Sequence, residues 1–512
     1  MSCPWTGAPF VQRHGKIVDH VVRSVGGSTE RDRLCDHPIP DRSREVAVNT
    51  PPRLAIAIQE LRILAYASGN FGKAMIFAGA DLTILYLLTD LMGLSATTAG
   101  SLMLVALGGD LLFDLLAARL VIRLRSRGKG YRWMVGAAAI PCTAAFALIY
   151  AMPALGVRQI LALAVALLMF RGAYAVIDVP HNALMAQVTS TSEARGRVSG
   201  YRLLFSSASS LVLATILTPL VQQAGSSQAF DRLASTGVIV GGLCAATLIL
   251  CAATSPGGTR RTTPSTDGID IPRRDPMVLA MGLLACLTGF AAPAFGRMLL
   301  FIGTYVVDRP ALVPTLLLAL AVGQFAGVLA WTALTHRFGK SVLLAMGHGV
   351  SAVGMLLFAL ALSSPALLTG GALIIGFGLA SVFMLPWGLL ADAVDVVEWR
   401  QGRRFETGLF AYYLVVVKAS GAASTVLIGW TLGGLGYVPG QGQSAAVQAG
   451  MLALALGVPL AGAGATILLM RRFDLGHRRH ARLRAALGWR QARAMDATGA
   501  VPVNPGRSPF PG

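Results

Sequence analysis

The sequence predicts an all-α membrane protein, with twelve transmembrane helices arranged as two six-helix bundles. Three observations predict it: composition, recurring apolar runs and the placement of positive charge. Of 512 residues, 54% are hydrophobic and 13% charged, against about 25% charged in a soluble domain. Apolar runs of about 20 residues recur along the chain, the length a helix needs to cross about 30 Å of hydrocarbon with its backbone satisfied internally. The formal net charge of +19 is concentrated in alternate loops and at the ends. That is the positive-inside pattern, so no nucleic-acid partner is needed to explain it.

The elements follow in order. Residues 1–60 are charged, rich in Gly and Pro, and lack an apolar h-region, so they read as a disordered basic cytoplasmic extension and not a signal peptide. Spans follow at about 64–92, 97–121, 132–152, 159–186, 198–222 and 235–254. Arg123, Arg125, Arg127 and Lys129 lie after the second, and Arg195 and Arg197 after the fourth. Residues 255–276, with Arg260, Arg261, Arg273 and Arg274, form the longest polar break and divide the chain six and six. The bundles are therefore expected at 61–254 and 277–471. Spans of the second half fall at about 277–306, 311–335, 341–363, 366–391, 405–433 and 446–470, with Arg337 and Lys340 after the eighth and Arg400, Arg403 and Arg404 after the tenth. Residues 472–512 form a basic tail, in which His477–Arg484 suit a short helix on an anionic lipid surface. The opposite loops are nearly bare, with Arg158, Arg232 and Arg309 as the main exceptions. Both termini are thus expected in the cytoplasm, and the protein in the cytoplasmic (inner) membrane. Two such bundles around a pseudo-two-fold axis describe the major facilitator architecture, with a cavity between halves near the midplane.

Charged residues inside the spans mark the candidate site. Asp110 and Asp114 lie one turn apart within an apolar run from Leu102 to Leu116. A charge near the bilayer centre costs about 2.5–3.5 kcal/mol on insertion scales. Two neighbouring carboxylates need a cation or a proton between them, or neutralisation by a nearby Arg or Lys. The first need points to a coupling site for H⁺ or Na⁺. Arg171 and Asp178 are seven residues apart on the fourth span, so both can face the interior; Pro180 frees the carbonyl of Val176. Lys418, deep in the eleventh span, requires an acid partner, and an acid of the other half would tie the bundles together. Arg297 lies in the seventh span and Asp81 near mid-span in the first, where it can line the cavity. Lys73 reads as structural, and His181 as a hydrogen-bonded interior histidine in preference to a proton carrier. The six cysteines show no C-x-x-C spacing and read as reduced packing residues. No Gly-rich phosphate loop, zinc spacing or Ser-His-Asp arrangement suggests an enzyme, and no cofactor is expected beyond the coupling ion.

The chain resembles the glycoside–pentoside–hexuronide:cation symporters, the melibiose-permease branch of the major facilitators. The first half carries Phe71-Gly72-Lys73, Thr89-Asp90-Leu91-Met92-Gly93-Leu94-Ser95, Asp110-x-x-x-Asp114 with Arg125-Ser126-Arg127-Gly128-Lys129, and Asp178-Val179-Pro180 followed by Arg195 and Tyr201-Arg202. The second carries Ala391-Asp392-Ala393-Val394-Asp395, Glu398, Gly402-Arg403, Glu406, Lys418 and Gly436-Tyr437-Val438-Pro439. The resemblance implies cation binding by Asp110 and Asp114, shared sugar and cation duty for Asp178, and places the family's fifth-helix arginine on Arg202 and eleventh-helix lysine on Lys418. Departures are specific. Ala74 replaces the sugar-binding acid, Asn182 the aromatic that packs on sugar, Phe113 and Ala175 two neutral cation ligands, and Leu115 a proline. Losing two neutral oxygens favours H⁺ over Na⁺.

The expected function is cation-coupled symport of a small solute, a sugar or glycoside derivative, by alternating access. A solute acid would find Arg171, Arg202 or Arg297. Alternatives are a lysolipid or other amphipathic-solute transporter of the same fold, and a non-transporting receptor or assembly factor. The expected partners are the solute and the lipid bilayer, and the chain reads as a monomer.

Overall fold

The computed structural model describes residues 52–188, 192–223, 227–256, 271–335, 337–472 and, in the tail, 482–483 and 485–490. The chain divides into two units, Met1–Ala55 and Ile56–Gly512, and all twelve spans belong to the second. The expected N-terminal extension up to residue 51, the middle of the central loop with Arg260 and Arg261, and tail residues 473–481 and 491–512 fall outside the described residues. Of Arg195 and Arg197 only the helical backbone is described.

Twelve helices are long and apolar enough to cross a membrane. In the first half they are α1 (Ile58–Leu91), α2 (Ala96–Ser126), α3 (Tyr131–Ala151), α4 (Ile160–Met185), α5 (Gly200–Gln222) and α6 (Ser227–Thr254). The second half holds α7 (Pro276–Val306), α8 (Pro310–Leu334), α9 (Lys340–Leu360), α10 (Pro365–Gln401), α11 (Gly408–Gly434) and α12 (Ala445–Arg472). Local chemistry sets their ends. The Ser95 hydroxyl accepts from the Thr98 N–H at 3.2 Å at the start of α2. Asp275 caps α7 by accepting from the Met277 N–H at 2.8 Å, with Pro276 in the first turn where no donor is needed. Gly402, at φ 72°, ends α10 in the left-handed conformation that lacks a Cβ penalty.

Three elements differ from the sequence reading. The first span starts at Ile58, inside the segment expected to run to residue 60. Helix α10 continues to Gln401, ten residues past its expected end. Asp392, Asp395 and Glu398 ride on that extension, beyond the apolar stretch, and their charges are met by Lys340 and Arg404. Helix α7 is interrupted at Ala291–Pro293, where the proline removes a donor. Pro180, by contrast, sits inside a helix that runs unbroken from Ile160 to Val188.

The helices pack in two groups. In the first, α4 lies against α2 and α3, and α3 against α6; in the second, α10 lies against α8 and α9, α7 against α11, and α9 against α12. The groups meet through α2 on α11 and α5 on α8. At the end where α1 passes into α2, the meeting is closed. A Cβ on Gly429 of α11 would fall 2.7 Å from the Cα of Gly100 of α2, so only glycine lets the backbones approach this far. Trp430 Nε1 donates to the Ser101 hydroxyl at 3.3 Å beside it. At the opposite end, the ion pairs among the described residues stay within one half: Lys340–Asp392, Arg400–Asp275, and Arg404 with Asp395, Glu398 and Glu406.

Gly429→Val should therefore keep the first end from closing. A cysteine pair at Ser101 and Trp430 is expected to crosslink readily in the parent sequence and poorly in the valine variant. Equal crosslinking would show that the glycine contact does not limit closure.

Candidate functional site

Between the halves lies a cavity of about 420 Å³, lined by residues of both. Its charged lining is Asp81, Asp110, Asp114, Arg171, Arg297 and Lys418, six of the eight residues singled out by sequence. The structure places the other two, Asp178 and Arg202, directly behind this wall.

Lys418 reaches from α11 into the first half. Its ammonium donates to Asp114 Oδ2 at 2.8 Å and to Asp178 Oδ2 at 3.1 Å. The partner acid that a deep lysine requires is therefore doubled, and both acids belong to the opposite bundle. Asp110 pairs instead with Arg171 Nη1 at 3.2 Å. The two acids of α2, one turn apart, thus have separate cations. A second tie between halves joins Arg297 of α7 to Asp81 of α1, with Nη2 at 2.8 Å from one carboxylate oxygen and Nε at 3.1 Å from the other. Such fork-to-carboxylate geometry fixes orientation as well as charge.

Behind Asp178 stands a polar network that sequence reasoning did not foresee. Lys73, read as structural, lies 2.6 Å from Asp178 Oδ1. Asn182, read only as the loss of an aromatic, is the hub: its amide nitrogen donates to Asp178 at 2.9 Å, and its oxygen accepts from Lys73 at 2.8 Å and Arg202 at 3.0 Å. Arg202 also donates to Asn70 Oδ1 at 3.3 Å. The i, i+4 spacing of Asp178 and Asn182 was the available signal. Asp178 is the most enclosed acid of the set, its side chain 7% exposed against 21% for Asp110 and 26% for Asp114. The two acids of α2 are thus more open to the cavity than Asp178.

One departure from the family pattern, Phe113, has a visible packing role. The Phe113 ring fills the crossing of α2 and α4 opposite Gly172, at ordinary van der Waals distance from where a Cβ would lie. The reading of His181 as a hydrogen-bonded histidine is corrected. Its ring is fully buried, both nitrogens lack partners among the described residues, and it stacks on Tyr66 at 5.1 Å between centroids. The Tyr66 hydroxyl donates to the His181 backbone carbonyl at 3.0 Å. Aromatic stacking on a neutral ring is the physical basis of its place in the core.

A second cluster, also unforeseen, sits at the closed end. Asp90 at the end of α1 accepts from the hydroxyls of Tyr437 and Tyr305, both of the other half. Burial and the Asp90 carboxylate push the Tyr437 phenol well above its ordinary range, so it remains a donor. Tyr86 and Thr304 add a hydroxyl contact of 3.3 Å across the same seam.

Removing one member of the Arg297–Asp81 pair leaves a charge in a half-buried wall. Arg297→Met is expected to destabilise the protein by about 2 kcal/mol, between the values for exposed and fully buried pairs. Adding Asp81→Asn should recover most of that loss in thermal unfolding. No recovery would show that the arginine acts through packing alone.

Known proteins resemble this chain in sequence and fold. Residues 65–477 match the family described as MFS/sugar transport protein. The chain is 24% identical over 453 residues to the uncharacterized symporter YjmB of Bacillus subtilis (strain 168), covering 86% of this chain and 97% of that one. It is 25% identical over 393 residues to the putative glycoside/cation symporter YagG of Escherichia coli (strain K12), covering 73% and 83%. The crystal structure of a D-xylose-proton symporter superposes with a TM-score of 0.57 at 15% identity, covering 81% of this chain and 97% of that one, which is a likeness of fold. With a matched region spanning most of its length, the chain belongs to the MFS/sugar transport family: it is a multi-pass membrane transporter and not an enzyme.

Proposed function

We propose that the protein is a proton-coupled symporter of a small hydroxylated solute, a sugar or glycoside derivative, working by alternating access. The observation that carries the reading is the sharing of Lys418 between Asp114 and Asp178 across the two halves. Lys418 acts as a tethered cation. In the conformer described here it fills the place that a coupling ion would take between those acids. A proton on Asp114 removes one of its two partners. Asp178, already held by Lys73, is then its remaining attachment, and the tie between bundles weakens. Release of the proton restores the tie.

Na⁺ fits this pocket poorly. It wants several oxygen ligands, and Phe113 and Ala175 stand where neutral ligands would be. A proton needs only the carboxylate. The relative YagG, named as a putative glycoside/cation symporter, supports the solute class. The cavity, about 420 Å³, lies within the range of about 300–1,000 Å³ typical of small-molecule sites. One observation favours a second solute class: Phe77, Leu82, Met103 and Phe383 make much of the wall apolar, which suits an amphipathic solute such as a lysolipid. Family membership speaks against a non-transporting receptor. The positive-inside pattern puts the basic loops, and with them both termini, in the cytoplasm. The end closed by Gly100, Gly429 and Asp90 then faces outward, and the conformer faces inward.

Reconstitution into liposomes tests this. With a panel of sugars, glycosides, uronic acids and lysolipids, an imposed pH gradient is expected to drive accumulation of one class, and a Na⁺ gradient none. Asp114→Asn should abolish accumulation against a gradient while the protein still inserts and binds. Accumulation driven by Na⁺ alone would overturn the proton reading, and a lysolipid-only response would select the second solute class.

A further inference from the structure

One acid within the spans is left unused by this scheme. Asp90 lies half-buried in the last turn of α1, at the closed end. Its carboxylate accepts from the Thr89 hydroxyl at 2.6 Å, from the Tyr437 hydroxyl at 2.8 Å to each oxygen, and from the Tyr305 hydroxyl. Tyr305 is itself held by the Gly440 N–H at 2.9 Å. The remaining titratable neighbour is Tyr86. Among the described residues no lysine or arginine pairs with Asp90, whereas Asp81, Asp110, Asp114 and Asp178 each have a cation. Hydroxyl donors alone hold it.

The site also has a place in the internal symmetry. Helix α1 ends in a widened five-residue turn, Leu87–Leu91, and α7 ends in another, Ile302–Val306. Each is followed by a residue in the left-handed region, Gly93 at φ 72° and Asp308 at φ 55°. Thr89-Asp90 and Thr304-Tyr305 occupy matching steps of these turns. The Asp90–Tyr305 bond therefore joins equivalent positions of the two halves, where a rocking motion must separate them. Widened turns of this kind are frequent at functional sites.

We propose that Asp90 is a proton-binding site that latches the closed end: ionised, it holds Tyr305 and Tyr437 of the other half, and protonated, it releases them. The chemistry is one of donors and acceptors. An ionised carboxylate offers only acceptors, which suits three hydroxyl donors at once. Protonation turns one oxygen into a donor facing a phenol that also donates, so at least one charge-assisted bond is lost. The proposal rests on the alternating-access reading, but it concerns the seam of the closed end and not the cavity acids.

The test measures that seam. Spin labels are placed on cysteines at Leu155 and Ser363, exposed loop positions of the two halves on the closed end, in a chain whose six native cysteines are replaced. Pulsed electron resonance then gives the distance between them in detergent or nanodiscs. At neutral pH one short distance is expected, with a longer one growing at acidic pH. Asp90→Asn should show the longer distance at both pH values, its share at neutral pH rising about tenfold, the scale of one lost bond to a charged group. Tyr437→Phe, which leaves the acid in place, should raise the longer distance yet keep its pH dependence, and it serves if the Asp90 variant fails to fold. With Asp114→Asn also present, so that the cavity acid no longer titrates, an Asp90→Asn protein that keeps the pH response would overturn the proposal, as would one that keeps only the short distance. Solute uptake is measured separately, so failure of the symport reading leaves a different trace.

Discussion

The ammonium of Lys418, shared between Asp114 and Asp178, is the interaction on which the rest of the structure depends. Taking charges out of water costs several kcal/mol per ion even after relaxation, and the cost is met only where partners and geometry are good. Around Lys418 the chain assembles four acids and four cations: Asp81, Asp110, Asp114 and Asp178 against Lys73, Arg171, Arg297 and Lys418. Each removes the reason for its neighbour to be neutral. The network is a poor device for stability alone, since apolar residues of like volume would serve as well. It is a good device for a protein that must exchange partners, because moving one proton leaves another charge without its match.

The packing of the closed end is built so that this exchange can matter. Two bundles held by a large apolar interface would not respond to one proton. Here, beside apolar contacts such as the Tyr86 ring on Phe301, the seam includes a glycine-on-glycine crossing at Gly100 and Gly429, hydroxyl contacts at Asp90, and two ion pairs in the cavity wall. Close backbone approach gives dispersion contact without side chains that would have to unlock. Directional polar bonds then set which conformer is preferred. At the other end, Arg404 and Lys340 pair within their own half.

Much of this was legible in the sequence, for physical reasons. A charge inside a twenty-residue apolar run has few stable explanations, so Asp110, Asp114, Asp178 and Lys418 could be selected by cost alone, and their cavity partners Arg171 and Arg297 with them. Twelve spans followed from run length. Pairing was less legible. That Lys418 meets Asp114 and Asp178, that Asp110 keeps Arg171 and that Arg297 chooses Asp81 depends on the crossing of α2 with α11 and of α1 with α7, which no local pattern encodes. Asn182 was misjudged because it was weighed as a missing aromatic and not as an amide four residues from an acid. Asp90 was noticed only as part of a motif, because its partners are neutral hydroxyls more than 200 residues away, and a hydroxyl in a membrane helix carries no cost that would betray it.

The central claim is that Lys418 and a proton are alternatives for the same carboxylate. A double-mutant cycle on Lys418→Met and Asp114→Asn, read by thermal unfolding of the purified protein, tests it most directly. The account predicts strong non-additivity: the lysine variant alone leaves a half-buried Asp114 without its cation, while Asp178 keeps Lys73, so neutralising Asp114 should recover most of the lost stability. The coupling should exceed about 1 kcal/mol, well outside the roughly 0.3–0.5 kcal/mol expected of independent sites. Additive effects would contradict it, because they would mean that the ammonium and the carboxylate do not depend on each other.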